Sequence, residues 1–310
     1  MIHPIPSGTR DVLPDELREV RAITDAMRGV FDAYGYGEVA TPALEYEEVL
    51  TRGDPGAADP AYRLFDEHGN VLVLRSDMTI PIARVVATRY PAEPVPLRFC
   101  YVQHAYRAVR RHRGHPREIL QAGIELVGAP GPEGTAEAIA VLCAALDAAG
   151  LAGYRVGVGD AGLFARALDA ADVGAAARAR ILHELDTRDF VGLERELEGA
   201  RAPLELVRLA TTRGGPEVLE GVPEAAPLRE LHALLADDVA ARVIYDLGLL
   251  RSLGYYTGAV FEVYDAAFGA PMGGGGRYDD LLGRFGRDLP ACGWALDVER
   301  LHAARLGEGR

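Results

Sequence analysis

The chain has 310 residues, 49% of them hydrophobic and 25% charged, which suits one large domain or two modest ones of ordinary globular composition. No apolar run approaches the ~18 residues that span a membrane, and the start Met1-Ile2-His3-Pro4 lacks the basic and apolar regions of a signal peptide. Three widely separated cysteines (Cys100, Cys143, Cys292) argue against a disulfide framework and a zinc site, and fit buried thiols in a reducing cytoplasm. The 46 acids against 33 bases give a net charge of −13, which makes a nucleic-acid binder a poor first guess.

The first predicted element is an amphipathic helix over 14–34. Pro14 suits its first turn, Asp15 and Glu16 complement its dipole, and Gly35 ends it. A short strand follows over 37–45, where Pro42 cannot donate to a central ladder and so marks an edge or an end. Residues 71–75 read as a buried strand, about 81–90 as a helix, and 97–106 and 118–127 as the two arms of a hairpin. A helix over 133–149 ends at Gly150, and 154–158 reads as another strand. Residues 161–236 turn rich in Ala, Leu, Arg and Glu and read as a helical insert; strand signals resume at Ala241. Strands, insert, strands favour an α+β fold on an antiparallel sheet over a regular βαβ array. The expected division is a core over 1–160, the insert over 161–236 and the rest of the core over 237–310.

Two runs could build a ligand site. In Arg251-Ser252-Leu253-Gly254-Tyr255-Tyr256 an arginine precedes two adjacent tyrosines, and the stretch 259–264 behind them alternates as a strand does. Arginine grips a carboxylate bidentately, and tyrosine offers an apolar ring with a polar tip. The run Gly273-Gly274-Gly275-Gly276-Arg277-Tyr278-Asp279 is neither a P-loop nor a dinucleotide fingerprint; a tight turn fits it, and so does close approach to a ligand or a neighbouring strand. The dense basic cluster Arg107, Arg110, Arg111, Arg113 and Arg117, with His112 and His115, could meet phosphate, an acidic partner or only water. No Ser/His/Asp triad, HExxH or EF-hand spacing is visible, and no metal site is expected.

Taken together, several runs resemble class II aminoacyl-tRNA synthetases: Glu38 to Glu45 the first class motif, Arg98 to Glu125 the second, and Gly293 to Leu301 the third. Arg251 to Tyr256 and Gly274 to Tyr278 are similar to the two signatures of histidyl-tRNA synthetases, and the resemblance spans about residues 5–302 outside the insert. It implies an antiparallel sheet flanked by helices, a self-dimer through the first motif, and a histidine pocket. By resemblance that pocket is made of Asp77, Met78, Thr79, Arg107, Gln121, Glu125, Arg251, Tyr255 and Tyr256. In it Asp77 would meet the ligand's ammonium, Glu125 the imidazole, and Arg251 the carboxylate.

The departures from that family fall on the nucleotide side. Val109 stands where an acid is expected and His115 where an arginine is expected; Asp297 replaces a glycine and Gly254 an acid. The sequence runs only to Arg310, so no anticodon-binding domain is expected. A kept amino-acid half beside a damaged nucleotide half resembles the regulatory-subunit family of ATP phosphoribosyltransferase. That resemblance implies no catalysis of its own, no cofactor, no tRNA and no membrane. The implied partners are L-histidine and a short-form ATP phosphoribosyltransferase catalytic subunit of histidine biosynthesis. The alternatives are an active histidine-activating enzyme and a scaffold with a vestigial pocket.

Overall fold

The computed structural model describes residues 5–56, 61–108, 116–249 and 254–309. Arg251 and the loop residues Val109, Arg110, Arg111, His112, Arg113 and His115 lie outside the described residues. The chain opens with α1 (Pro14–Ala33), which buries Val20, Ile23, Met27 and Phe31 at three- and four-residue spacing. The expected single strand over 37–45 divides in two, a correction that Pro42 explains. β1 (Gly37–Glu38) pairs parallel with β5 (Leu97–Tyr106), and β2 (Leu44–Tyr46) joins a separate small sheet.

That small sheet has the order β2-β4-β3, with β3 at Arg63–Phe65 and β4 at Val71–Leu74, and α2 (Glu47–Gly53) leads out of β2. The buried Arg75 pins it to the main sheet. Its guanidinium donates to the Thr41 and Pro42 carbonyls and, at 2.8 Å, to the His104 carbonyl. α3 (Thr79–Arg89) follows, then β5 and β6 (Glu118–Val127), which form the expected hairpin over ten residue pairs.

α4 (Gly131–Ala148) and β7 (Arg155–Asp160) complete the first run. Between β7 and β9 the chain is largely helical, as its composition suggests. It carries α5 (Leu163–Ala170), α6 (Ala175–Thr187), α7 (Phe190–Ala200), α8 (Glu205–Thr211), α9 (Ala226–His232) and α10 (Asp237–Ala240). One element there is not helical: β8 (Arg213–Gly214) pairs with β9 (Val243–Asp246), and Arg213 meets Asp246 at 2.8 Å. The chain closes with β10 (Ala259–Tyr264), β11 (Gly273–Arg277), β12 (Ala291–Asp297) and α11 (Val298–Glu308).

The main sheet has nine strands in the order β1-β5-β6-β12-β11-β10-β7-β9-β8. From β5 to β7 every pairing is antiparallel, as expected, but β1 on β5 and β9 on β7 run parallel, so the sheet as a whole is mixed. Side chains alternate between its faces. Cys100, Ile124, Trp294, Leu296 and Phe261 pack beneath α1, α4 and α11, while Phe99, Tyr101 and Val127 face a smaller cluster with α3 and Tyr278. The glycine run resolves as a central strand and not as a turn. A Cβ on Gly275 would stand 2.0 Å from the Gly293 carbonyl oxygen and 2.6 Å from Trp294 Cβ.

Two glycine substitutions should therefore move stability in opposite directions in urea denaturation. Gly29→Ala, mid-helix in α1 with nothing within 4 Å of the added methyl, should stabilise by about 0.5–1 kcal/mol. Gly275→Ala should cost more than about 2 kcal/mol, because backbone must move to admit the methyl.

Candidate functional site

The strand register lays a row across five strands on the α3 side of the sheet: Tyr101, Gly123, Ala295, Gly274, Glu262. Large polar residues stand at its ends and nothing larger than alanine lies between. The next row repeats the device, with Glu125 opposite Gly293 and Gly293 opposite Gly276. Paired residues of a sheet share a face, so these glycines leave a bare trough.

Over the trough lies a cavity of about 170 Å³, against the ~10–15 Å³ that one ordered water needs. Asp77, Met78, Thr79, Arg107, Gln121, Tyr255 and Tyr256 all line it, so the structure brings together seven residues named from the sequence. Glu125 is not among the lining residues. It stands on the trough face of the sheet, over Gly293, where a Cβ on Gly293 would come 2.0 Å from its Oε2. The cavity is also lined by Tyr101, Glu262 and Met272, which the sequence reading gave no ligand role, and by Arg300, which it named only for the histidine-activating alternative. The signal for Glu262 was there, since it is the one charged residue in the apolar run 259–264.

Each wall has an evident origin. Asp77 stands at the start of α3, where its Oδ1 accepts from the Ile80 amide at 3.0 Å. Burial is the main cause that pushes its carboxyl above the ordinary range; the nearby Arg107 charge pulls the other way. The Thr79 hydroxyl donates to Glu125 Oε1 at 2.7 Å, and the Tyr278 hydroxyl donates to Oε2. Glu125 is 1% exposed, and burial pushes its carboxyl up to about 8 despite those two donors. Tyr278 packs edge-on against Tyr255 at 5.7 Å, and Tyr255 lies 4.9 Å from Tyr256. Gln121 is 8% exposed, and its Oε1 has no hydrogen-bond partner among the described residues.

Asp297 and Arg300 belong to one structural unit. Asp297 caps α11, accepting from the Glu299 and Arg300 amides at 3.1 and 3.2 Å, and meets the Arg300 guanidinium at 3.0 Å. Arg300 also donates to the Pro271 carbonyl and lies 5.9 Å from the Phe268 ring centroid. The spacing of a short acid just ahead of a helical run was the sign of this cap. Ahead of the tyrosine pair, Asp54 Oδ1 lies 3.2 Å from a Cβ built on Gly254.

Among the described residues the lining is thus acid-rich. Asp77, Glu262 and Asp297 face it against Arg107 and Arg300; Asp297 and Arg300 pair with each other, Glu262 accepts from the Tyr264 hydroxyl, and the acids outnumber the arginines by one. Such a chamber favours a ligand with cationic or N–H donor groups. A like charge at ~4 Å costs about 4 kcal/mol at an effective dielectric of ~20, so a polyphosphate is disfavoured. No group of three or more metal-ligating side chains occurs among the described residues, and none of the described helices is long and apolar enough to cross a membrane.

Comparison with known proteins agrees with this architecture. A family model described as histidyl-tRNA synthetase matches residues 8–301. An ATP phosphoribosyltransferase regulatory subunit of Symbiobacterium thermophilum is 42% identical over 98% of this chain and 80% of its own length. A crystal structure from Bacillus halodurans C, described as an ATP phosphoribosyltransferase regulatory subunit/histidyl-tRNA synthetase, superposes with a TM-score of 0.89 at 32% identity; the match covers 98% of this chain and 83% of that one. A histidine–tRNA ligase subunit of Alicyclobacillus acidocaldarius superposes with a TM-score of 0.81 at 31% identity, covering 100% and 99%. The chain belongs to the class II histidyl-tRNA synthetase-like family, within its ATP phosphoribosyltransferase regulatory subunits.

Proposed function

We propose that this chain is a non-catalytic regulatory subunit. It binds L-histidine in the trough and reports its occupancy to a short-form ATP phosphoribosyltransferase catalytic subunit at the first step of histidine biosynthesis. The observation that carries the reading is the glycine-floored cavity, whose acids outnumber its arginines among the described residues and whose Gln121 Oε1 has no partner among them. The ligand's ammonium meets Asp77 and Gln121. The Thr79 hydroxyl spends its proton on Glu125, so its oxygen is left as an acceptor for an N–H of the ligand. Glu125 therefore acts on the imidazole end through the Thr79 and Tyr278 hydroxyls, and not by direct contact. Arg107 faces the α-carboxylate; by family resemblance Arg251 joins it.

A histidine-activating enzyme is the second reading, favoured by the Arg107 and Arg300 that still line the cavity. It needs ATP in a chamber whose acids oppose triphosphate. Isothermal titration should show histidine binding by the unmodified protein and about tenfold weaker binding by Gln121→Ala, which loses one charge-assisted hydrogen bond. No heat with the unmodified protein would sink the histidine reading. Histidine-dependent ATP–pyrophosphate exchange should be absent, and robust exchange would instead make the chain an enzyme. Histidine should also lower the activity of the reconstituted phosphoribosyltransferase complex, and indifference of that activity would refute feedback.

The pH dependence follows from Glu125. Its folded pKa of about 8 lies above its ordinary 4.5, so the folded state holds a proton that the unfolded chain releases. The stability this contributes is complete below about pH 4.5 and is lost as pH rises toward 8. The loss approaches ~1.4 kcal/mol per pH unit within that window. Measured against Glu125→Gln, which cannot ionise, the unmodified protein should lose relative stability between pH 5 and 8. Parallel curves would show that Glu125 is not held protonated.

Self-association through the first-motif region has its own support. Leu44, Tyr46 and Leu64 lie on one face of the small sheet and are 42%, 49% and 44% exposed. Tyr46→Asp should shift the mass seen by light scattering from dimer to monomer, and an unchanged mass would place the interface elsewhere.

A further inference from the structure

We infer that Asp54 is a positioning acid of this pocket, a second carboxylate behind Asp77 and the Tyr255–Tyr256 wall that sets the negative potential in which the ligand's ammonium sits. The inference rests on the histidine-binding reading and adds to it a residue outside the cavity lining.

Three observations converge. Asp54 is 5% exposed, so its carboxylate is withdrawn from water although it follows a short helix at the protein's edge. Its Oδ1 accepts from the Gly56 amide at 3.2 Å and stands 3.2 Å from the point a Cβ on Gly254 would occupy, one residue before Tyr255. Its charge also reaches Asp77, where it opposes ionisation as a nearby like charge must.

Its placement is built in. The Cα of Gly53 lies against Ile80, so close that a Cβ there would come 2.6 Å from Ile80 Cγ1. Arg284 donates to the Gly53 carbonyl from the other side. The residue before Asp54 is thus clamped between the first turn of α3, which begins just after Asp77, and the turn at Leu282–Phe285. Among the described residues beyond its chain neighbours, only Asp54 lies within 4 Å of the missing side chain of Gly254, so an acid placed there would confront Asp54 directly.

A charge behind Asp77 has two effects of opposite sign. It strengthens the attraction for an ammonium, and it raises the pH at which Asp77 protonates and that attraction fails. Asp54→Asn should therefore weaken L-histidine binding about five- to tenfold near neutral pH and move the acid limb of the affinity profile to lower pH. A merely structural role would lower affinity without moving the limb.

The test is L-histidine titration calorimetry across about pH 4 to 8 on the full chain, Asp54→Asn, Gly254→Asp and the double variant, with thermal melts of all four. Gly254→Asp alone sets two carboxylates face to face and should weaken binding and lower Tm. On the Asp54→Asn background the same change returns an acid to that spot and should restore affinity to within about threefold. Wild-type affinity and an unmoved acid limb in Asp54→Asn would overturn the inference, as would a double variant no better than Asp54→Asn. If the unmodified chain gives no heat with L-histidine, the histidine reading itself fails. The melts then decide separately whether Asp54 acts on this wall. Destabilisation by Gly254→Asp that vanishes on the Asp54→Asn background keeps Asp54 there, and additive changes in Tm remove it.

Discussion

The site depends on a constraint of sheet geometry: where one strand carries a large side chain, its paired neighbour must carry almost none. Glu125 faces Gly293, Glu262 faces Gly274, Trp294 faces Gly275 and Tyr101 faces Gly123. A methyl at Gly293 would come 2.0 Å from Glu125 Oε2, and one at Gly123 would come 2.6 Å from the Tyr101 hydroxyl oxygen. Glycine weakens a strand by entropy and lost packing. Four in succession in a central strand cost stability that only the room they leave can explain. The room is used on both faces: Trp294 fills it toward α1 and α4, and the ligand trough fills it on the other.

The second governing fact is the sign of the charge. A buried carboxyl that stays ionised needs a partner. Here Glu125 has two hydroxyl donors and, among the described residues, no neighbouring cation, and Asp77 has a backbone amide and the field of Arg107. Both are pushed toward the protonated form, which is the mark of a site waiting for positive charge. Of the two arginines on the described lining, Arg300 is already bound to Asp297 and to the Pro271 carbonyl. Glycine at position 297 would lack that side-chain cap and leave Arg300 one partner fewer. A single residue therefore caps α11 and engages the Arg300 side chain.

Much of this was legible in the sequence. Helix α1 and the hairpin of β5 and β6 follow from periodicity, and the seven lining residues from the motifs that resemble the histidyl-tRNA synthetase family, because those features are local. What was not legible is what depends on long-range register. Glu125 reads as a direct ligand contact, but only the pairing with Gly293 and the Thr79 and Tyr278 hydroxyls upon it show that it is buried over that glycine and outside the cavity lining. The glycine run reads equally as a turn, because nothing in it announces that Trp294 will come to lie opposite Gly275. The split at Pro42 was half visible: proline forbids a ladder bond there, but the reason the segment is still ordered is Arg75, thirty-three residues on. Asp54 was invisible, since nothing local connects it with Gly254.

A ligand regulates only by binding two states of its target unequally. The floor is a poor place to look for that inequality. It is made of central antiparallel strands whose glycines already sit at the limit of approach, and close-packed interiors do not deform continuously. The wall is different in kind. Asp54 follows a seven-residue helix, Asp77 and Thr79 lie at the start of α3, and Tyr255 and Tyr256 lie in the connection before β10. These pieces meet one another through side chains and not through a shared ladder. Arg75, two residues before Asp77, joins that wall to the Thr41–Pro42 segment and to β5. Any change in ligand affinity that distinguishes two states must therefore lie mainly in how the wall closes on the trough. A substitution in the floor alters affinity in both states alike and leaves the coupling free energy untouched, whereas one in the wall alters the difference itself.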